Sequence, residues 1–398
     1  MTIAVANKKK MYVGPETTWA TTPSLLSDFY PLQYMSDTIE QQQAEIESRQ
    51  ITPTRDLRDT VRDQISAIGS INHEFLAGNT DVLIKAALRS AAKLGATANV
   101  VILASGTVSA TVSNGTYTGT GFAAATIGSF ISIKGFVNPT NNGIKKVLTA
   151  SATVITTAGK VNAAEASAPA ITITQLGYYQ LGEVVSDFVS FSILMNYSNV
   201  ITPNPMVHVY PGCYVDSMSM ELSGGIMTGS FNFIGKNLVP AIVVPTGTAK
   251  AVFGTPVFNK VDNTSYLVNN VLANGIGFTW NLANNMRAQN QQMGSPYAVG
   301  VGDGGPVLGG TLSAYFENNT QLNDFANYTF RSMDFIAADD AGRGYAWEMP
   351  QVRILRAATP ATGVDTDIVA DFNWKAMRGN TAANLPSFKI HTTETIQP

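Results

Sequence analysis

Charge is what this sequence has least of. Lys, Arg, Asp and Glu make up 13% of the 398 residues, against about a quarter in ordinary soluble domains. A monomer keeps its surface wet with those four side chains, so a surface left to Asn, Thr, Ser, Ala and Gly suits contact with other protein. Composition alone leaves two readings open: a subunit of an assembly, and a neutral secreted β-protein. A formal net charge of −3 supplies no basic field to hold phosphates, which disfavours nucleic-acid wrapping while leaving passage of DNA open. The single cysteine, Cys213, excludes an internal disulfide framework and a cysteine-based zinc cluster, and fits intracellular folding. No stretch reaches 18 uninterrupted apolar residues, so a membrane helix is not expected. The basic triplet Lys8–Lys10 is followed by no apolar run of the kind a secretory leader needs.

What is present is enough apolar material for a core, 45% of residues, in a chain long enough for about two or three domains. The expected class is mainly β: a sandwich or barrel-forming fold with one flanking helix, a short second helix and a small inserted β-domain. Residues 1–34 read as an arm, loop-like, with Pro15, Pro23 and Pro31 spaced between Tyr12, Trp19, Phe29 and Tyr30. Such a segment either docks in a neighbour's groove or packs on its own domain. From Thr38 to Phe75, polar and apolar residues alternate for long stretches, which predicts two long half-buried strands. Arg55, Asp56, Leu57, Arg58 and Asp59 form the charged link between them, a hairpin tip.

Val82, Leu83, Ala86, Ala87 and Leu94 recur at helical spacing, from a cap at Asn79 or Thr80 to a stop at Gly95. Residues 97–174 then turn to Ala, Thr, Ser and Gly with short β-runs, which suggests an inserted domain between small-residue linkers. The main domain is thus discontinuous, 35–96 and 175–398. Turn signals at Pro211-Gly212 and Ser223-Gly224-Gly225 separate its later strands. A second helix is expected over Gln321 to Tyr328, burying Leu322, Phe325 and Ala326. No repeat of 20–50 residues is evident.

Chemistry is sparse. His73, His208 and His391 are scattered, with no metal-binding spacing. Cys213 has no partner signature of a nucleophile. The run Gly300–Gly305 is followed by Pro306 and a strand-like segment where a phosphate cradle requires a helix. Asp339-Asp340 and Asp365-x-Asp367 lack the spacing of a calcium loop. Catalytic, cofactor and metal residues are therefore assigned to none, and enzymatic function has no positive support.

Several segments, taken in order, resemble the tail tube (major tail) proteins of siphophages. Gly14-Pro15-Glu16-Thr17-Thr18-Trp19-Ala20-Thr21-Thr22-Pro23 is similar to that family's E-T-x-W-G-T-x-P arm, with Ala20 where glycine is usual. Ser70–Phe75 leading into the first helix, Trp280–Met286, Leu308–Phe316, Gly342–Pro350 and Asp371–Trp374 resemble its strand and helix steps. The resemblance implies a structural virion protein, made in the host cytoplasm and built into the tail, with no cofactor. Six protomers would close into a ring around one inner barrel, a homo-hexamer, and stacked rings would form the conduit for genome ejection. It also implies tape measure, tail terminator and distal tail proteins as partners, with transient, non-specific passage of DNA.

Glu40, Glu45 and Glu47 are the channel-lining candidates, the last two on one face of a long strand, although a solvated exterior would look the same. Trp19, Arg55, Asp56, Arg58 and Asp59 are the candidates for inter-ring contact. Two alternatives stay open: another virion structural protein, such as a decoration protein or tail terminator, and a glycan-binding tail protein using Trp280, Trp347 and Trp374 as a platform.

Overall fold

The computed structural model of the chain describes residues 4–49, 59–89, 99–112, 115–159, 163–181, 190–198, 206–222, 224–241, 243–252, 256–259, 263–288, 292–316, 319–339, 341–359, 367–379 and 386–394. The fold is mainly β, with two α-helices and antiparallel ladders throughout.

One sheet dominates. The edge strand Glu40–Glu47 pairs with Thr60–Glu74, which pairs in turn with Thr228–Gly235. The ladder continues through the C-terminal half of Met206–Leu222, then Gly275–Ala283, Val307–Tyr315, Val369–Ala376 and the C-terminal half of Gly344–Ala358. The two long strands each bend out of this sheet. The first half of Met206–Leu222 pairs with Phe191–Tyr197, and the first half of Gly344–Ala358 pairs with Phe330–Ala338 and Lys389–Thr392. These outer strands form the second layer of a sandwich.

Strict alternation explains the layering, because a period of two sends every second side chain to the core. Ile71, Phe231, Met218, Leu282 and Leu308 stand side by side in register and all are buried. Trp280, Trp347 and Trp374 are fully buried in the same core, so they offer no surface platform to a glycan.

The sequence turn at Pro211-Gly212 lies inside a strand. Met206–Leu222 runs through it, and a register shift against Phe191–Tyr197 takes up the bend. Gly212 sits at φ +67 beneath the Trp19 ring, where a Cβ would clash with the indole nitrogen. The residues 9–15 of the predicted arm form a strand between Phe191–Tyr197 and Tyr30–Leu32 of the same chain.

The helices differ from expectation. The first runs Asp81–Leu88 and ends where Arg89 turns left-handed at φ 49, its N–H donating back to Ala86 and Lys85; Leu94 and Gly95 lie outside the described residues. The second runs Thr320–Ala326 and buries only part of the expected apolar face: Leu322 packs half-buried against the core, but Phe325 is 41% exposed and Ala326 is exposed too. Its buried residue is Asp324, held by two hydrogen bonds from Arg331 at 2.8 and 2.6 Å. A charge-assisted bidentate clamp does the work that helical apolar spacing suggested for Phe325.

Between Val100 and Gln175, six strands close into a barrel with its own core around Tyr117, Ile131, Val147 and Ile171. The barrel packs directly against the sandwich. Its Phe130, Ile144 and Leu176 share a buried cluster with Leu267, Ile336 and Ala346 of the sandwich. Lys146 Nζ reaches Asp334 across that boundary at 2.7 Å, and Ser132 donates to the Gly342 carbonyl at 2.6 Å.

Candidate tube-lining face and sheet edges

The outward face of the large sheet is built from the residues that alternate with the core. Asn72, Ser230, Ser219, Asn281, Gly309 and Lys375 lie in register across six strands, and Glu74, Thr228, Glu221, Thr279, Thr311 and Asn373 form the next row. None of the twelve is buried. Hydroxyls and amides bond one another across the strands: Ser219 with Ser230 at 2.8 Å, Asn232 donating to Ser217 at 2.6 Å, Thr279 with Thr311 at 2.7 Å. Such pairs fix register without adding charge. Within these two rows the charged residues are Glu74 and Glu221 against Lys375, so the face is polar and slightly acidic.

This face was missed in the sequence because its signal is an absence. The strands show the expected alternation, but which alternating set lines a common surface depends on long-range register, which turn chemistry alone does not supply.

The predicted channel residues sit at the rim of that face. All eight residues of Glu40–Glu47 are exposed. Glu40 stands opposite Ile68, on the face of Ser66 and Ser70. A register shift follows Gln43, and Glu45 and Glu47 then face Arg62 and Thr60. Counted along the alternating strand, Glu45 and Glu47 have the opposite parity to Glu40, so the three do not share one face. The strand has an unpaired edge among the described residues, and so have residues 356–358 at the far end of the sheet, on the side away from Val369–Ala376.

Of the inter-ring candidates, Arg55, Asp56 and Arg58 lie outside the described residues, and Asp59 is exposed. Trp19 is half-buried against its own chain: its indole N–H donates to the Gly212 carbonyl at 3.3 Å, and Lys236 lies over its ring. Beside it, the buried Glu16 carboxylate accepts from Ser190 and Ser192 hydroxyls at 2.7 and 2.6 Å and from the Gly212 and Ala20 N–H groups at 2.9 and 2.8 Å. Four donors on one carboxylate pin this segment to the sandwich.

The titratable groups of the interior serve packing. His73 is enclosed by Phe75 and Phe231, and burial lowers its pKa to about 3. His391 bonds Glu348 at 3.0 Å; burial lowers its pKa, opposed by that carboxylate. Burial also raises Glu348, but the His391 hydrogen bond and the charges of His391, Lys389 and Lys146 outweigh it and bring the carboxyl to about 2. His208 lies apart, against Tyr197. Among the described residues no group of three His, Cys, Asp or Glu is arranged to hold a metal. Cys213 is buried, and burial pushes its thiol up, away from reactivity. The glycine-rich run contributes Val301–Gly302 to a short ladder with Arg287–Ala288. Asp339 bonds Arg343 at 2.9 Å, while Asp340 and Asp365 lie outside the described residues.

Compared with known proteins, the chain matches the family model described as phage tail tube protein over residues 6–376. Among curated proteins, nothing matches it.

Proposed function

This chain belongs to the phage tail tube protein family, and from that premise we propose that its large sheet is the wall of the channel, with the Ser, Thr and Asn rows facing the passing DNA. Copies of the chain close into rings, and the rings stack into the conduit for genome ejection. The observation that carries this reading is the chemistry of the outward face: six strands in register, covered by uncharged polar side chains and carrying more carboxylates than amines. DNA phosphates bind where lysines and arginines release counterions. A wall nearly free of them, and faintly acidic, lets a polyanion slide without sticking.

The two unpaired edges supply the assembly logic. A sheet that ends in open N–H and C=O groups pairs with another chain unless it is blocked, and closure around an axis removes both edges at once. A contact between two different patches that closes on itself gives a ring.

Electron microscopy of the purified chain tests this reading. Rings or tubes with an axial hole are expected. A chain that stays monomeric at high concentration would remove the basis of the proposal.

A further inference from the structure

We infer that the chain is an internal duplication of one tube-building unit, and that the seam joining the two units inside the chain recurs between chains, with residues 356–358 of one copy pairing Glu40, Gln41 and Gln42 of the next. The inference rests on the proposed tube role.

The duplication is written in the strand registers. In the first half, Phe191 pairs Cys213 and, after a shift, Ile193 pairs Tyr210; in the second, Arg331 pairs Val352 and, after a shift at the same place, Met333 pairs Met349. The next ladder repeats as well: Val215 with Phe233, a shift, then Ser217 with Asn232, against Ile354 with Trp374, a shift, then Arg356 with Asn373. Ser36 pairs Asn72 as Gly277 pairs Ser313, and Glu74 pairs Thr228 as Tyr315 pairs Val369. Each half places its helix directly after the central strand, and an Asn-Thr pair leads into each, 79–80 just before Asp81–Leu88 and 319–320 at the start of Thr320–Ala326.

Sequence and sterics agree with the registers. Ser230-Phe231-Asn232-Phe233 matches Asp371-Phe372-Asn373-Trp374, and Pro211 matches Pro350. Gly69 and Gly310 fall on equivalent positions, and a Cβ on either would collide with the backbone of the facing strand, at Ile39 in one case and at Thr279 and Trp280 in the other. Ile39 and Trp280 are themselves equivalent. Two coincident bulges and a coincident close approach at matched positions do not arise from generic β-structure.

Inside the chain the two units meet where Ser217 pairs Ala283 and Ser219 pairs Asn281. Carrying that seam over the duplication puts Arg356 opposite Gln42, and Ala358 opposite Glu40, of a second copy. Both partners are the unpaired edges already described. Arg356 shares the face of Asn373, and Glu40 that of Ile68, so the two charges lie diagonally across the seam on the channel face, within reach of one another. The in-chain equivalents of this pair are Ser217 and Asn281. The helix Thr320–Ala326 packs against Gly344–Ala358 as Asp81–Leu88 packs against Met206–Leu222, a strand that still pairs Gly275–Ala283. A ring of six units then contains three chains.

Cysteine pairing tests the seam, since the native thiol is buried. Chains carrying Gln42→Cys and chains carrying Arg356→Cys are mixed, assembled and oxidised. A disulfide-linked dimer is expected, and much less of it with Gln41→Cys, whose side chain points to the other face. With Gln42→Cys and Arg356→Cys in one chain, the covalent ladder should end at a closed trimer. Charge reversal gives an independent arm: Glu40→Arg or Arg356→Glu alone should lower assembly roughly ten-fold, and the two together should restore it. Tubes that form from the wild-type chain while positions 42 and 356 never cross-link, or a ladder that runs to six, would overturn the inference and leave the tube role standing. Absence of rings from the wild-type chain would instead defeat the tube role itself.

Discussion

Lys146 of the inserted barrel and Asp334 of the sandwich form an ion pair at 2.7 Å with side chains 7% and 0% exposed. Neither charge has water to fall back on. Burial raises the Asp334 carboxyl to about 6, and the Lys146 ammonium is what opposes that rise. Removing one partner of such a pair leaves an uncompensated buried charge, at a cost of about 3–5 kcal/mol, whereas replacing both by apolar groups is often neutral. Lys146→Met should therefore destabilise the chain strongly in denaturant unfolding, and Lys146→Met with Asp334→Leu should recover most of the loss. A single mutant as stable as the parent would show that the barrel is only loosely docked.

The same boundary decides what happens when the barrel is removed. Its small-residue flanks suggest a separable module, yet excision would expose Leu267, Ile336 and Ala346 and strand Asp334. A deletion that keeps the sandwich soluble needs polar replacements at those positions.

A second buried carboxylate gives the chain a pH signature. Asp81, at the start of the first helix, accepts from the Tyr345 hydroxyl. Burial raises its pKa to about 7, against the partial opposition of that hydrogen bond. A carboxyl that holds its proton more tightly when folded contributes stability below its unfolded value, near 4, and that contribution is lost as pH rises through about 7. Asp334 acts with the same sign up to about 6. Glu348, lowered to about 2, acts oppositely, and only in acid. Between pH 6 and 7 Asp81 thus subtracts stability as pH rises, while the buried His73 and His391, held below their unfolded values, add it. Asp81→Asn should remove the falling component, so that stability climbs more steeply with pH across this interval than in the parent; an unchanged slope would show that Asp81 does not titrate there.

Much of this architecture was legible from alternation and turn residues, since half-buried strands announce themselves by a period of two. The second helix was misread because Phe325 falls at core spacing while the fold anchors the segment through Asp324 and Arg331. The strand through Pro211 was cut short because a proline beside a glycine reads as a turn, and only the Trp19 ring above Gly212 shows why the chain tolerates them mid-strand. The duplication was illegible for a different reason. Its two halves share bulges and close approaches far more than side chains, and the insertion breaks the constant spacing between equivalent positions.

Ala20 is where family resemblance and backbone geometry meet. The related arm motif carries glycine there, and in this chain the residue sits at φ 57, a region that costs an L-residue roughly 1 kcal/mol or more. Its N–H donates to the Glu16 carboxylate, which fixes the turn in that conformation. Ala20→Gly should relieve the strain at a smaller cost in unfolded-state entropy, for a net gain of about 0.5 kcal/mol. Thermal unfolding should show a small rise in Tm. A fall would mean that the Ala20 methyl contributes packing that outweighs the strain.

The wall itself can be made to grip. Asn281 lies exposed in the middle of the outward face, and Asn232 lies one row away and two strands over, across Met206–Leu222. Neither touches the core, so Asn232→Lys with Asn281→Lys should leave folding within about 0.5 kcal/mol of the parent. In an assembled tube those lysines would repeat around the channel and down every ring, turning a neutral wall into a basic one. Each lysine that meets a phosphate adds close to one unit to the slope of log affinity against log salt. Tubes of the variant should retain short duplex DNA at low ionic strength and release it as salt rises, while parent tubes retain almost none at either. Lysines placed on the tube exterior would also attract DNA, but would leave it open to nuclease; protection from digestion therefore identifies the lumen. If the variant binds DNA and digestion removes all of it, the polar rows face outward.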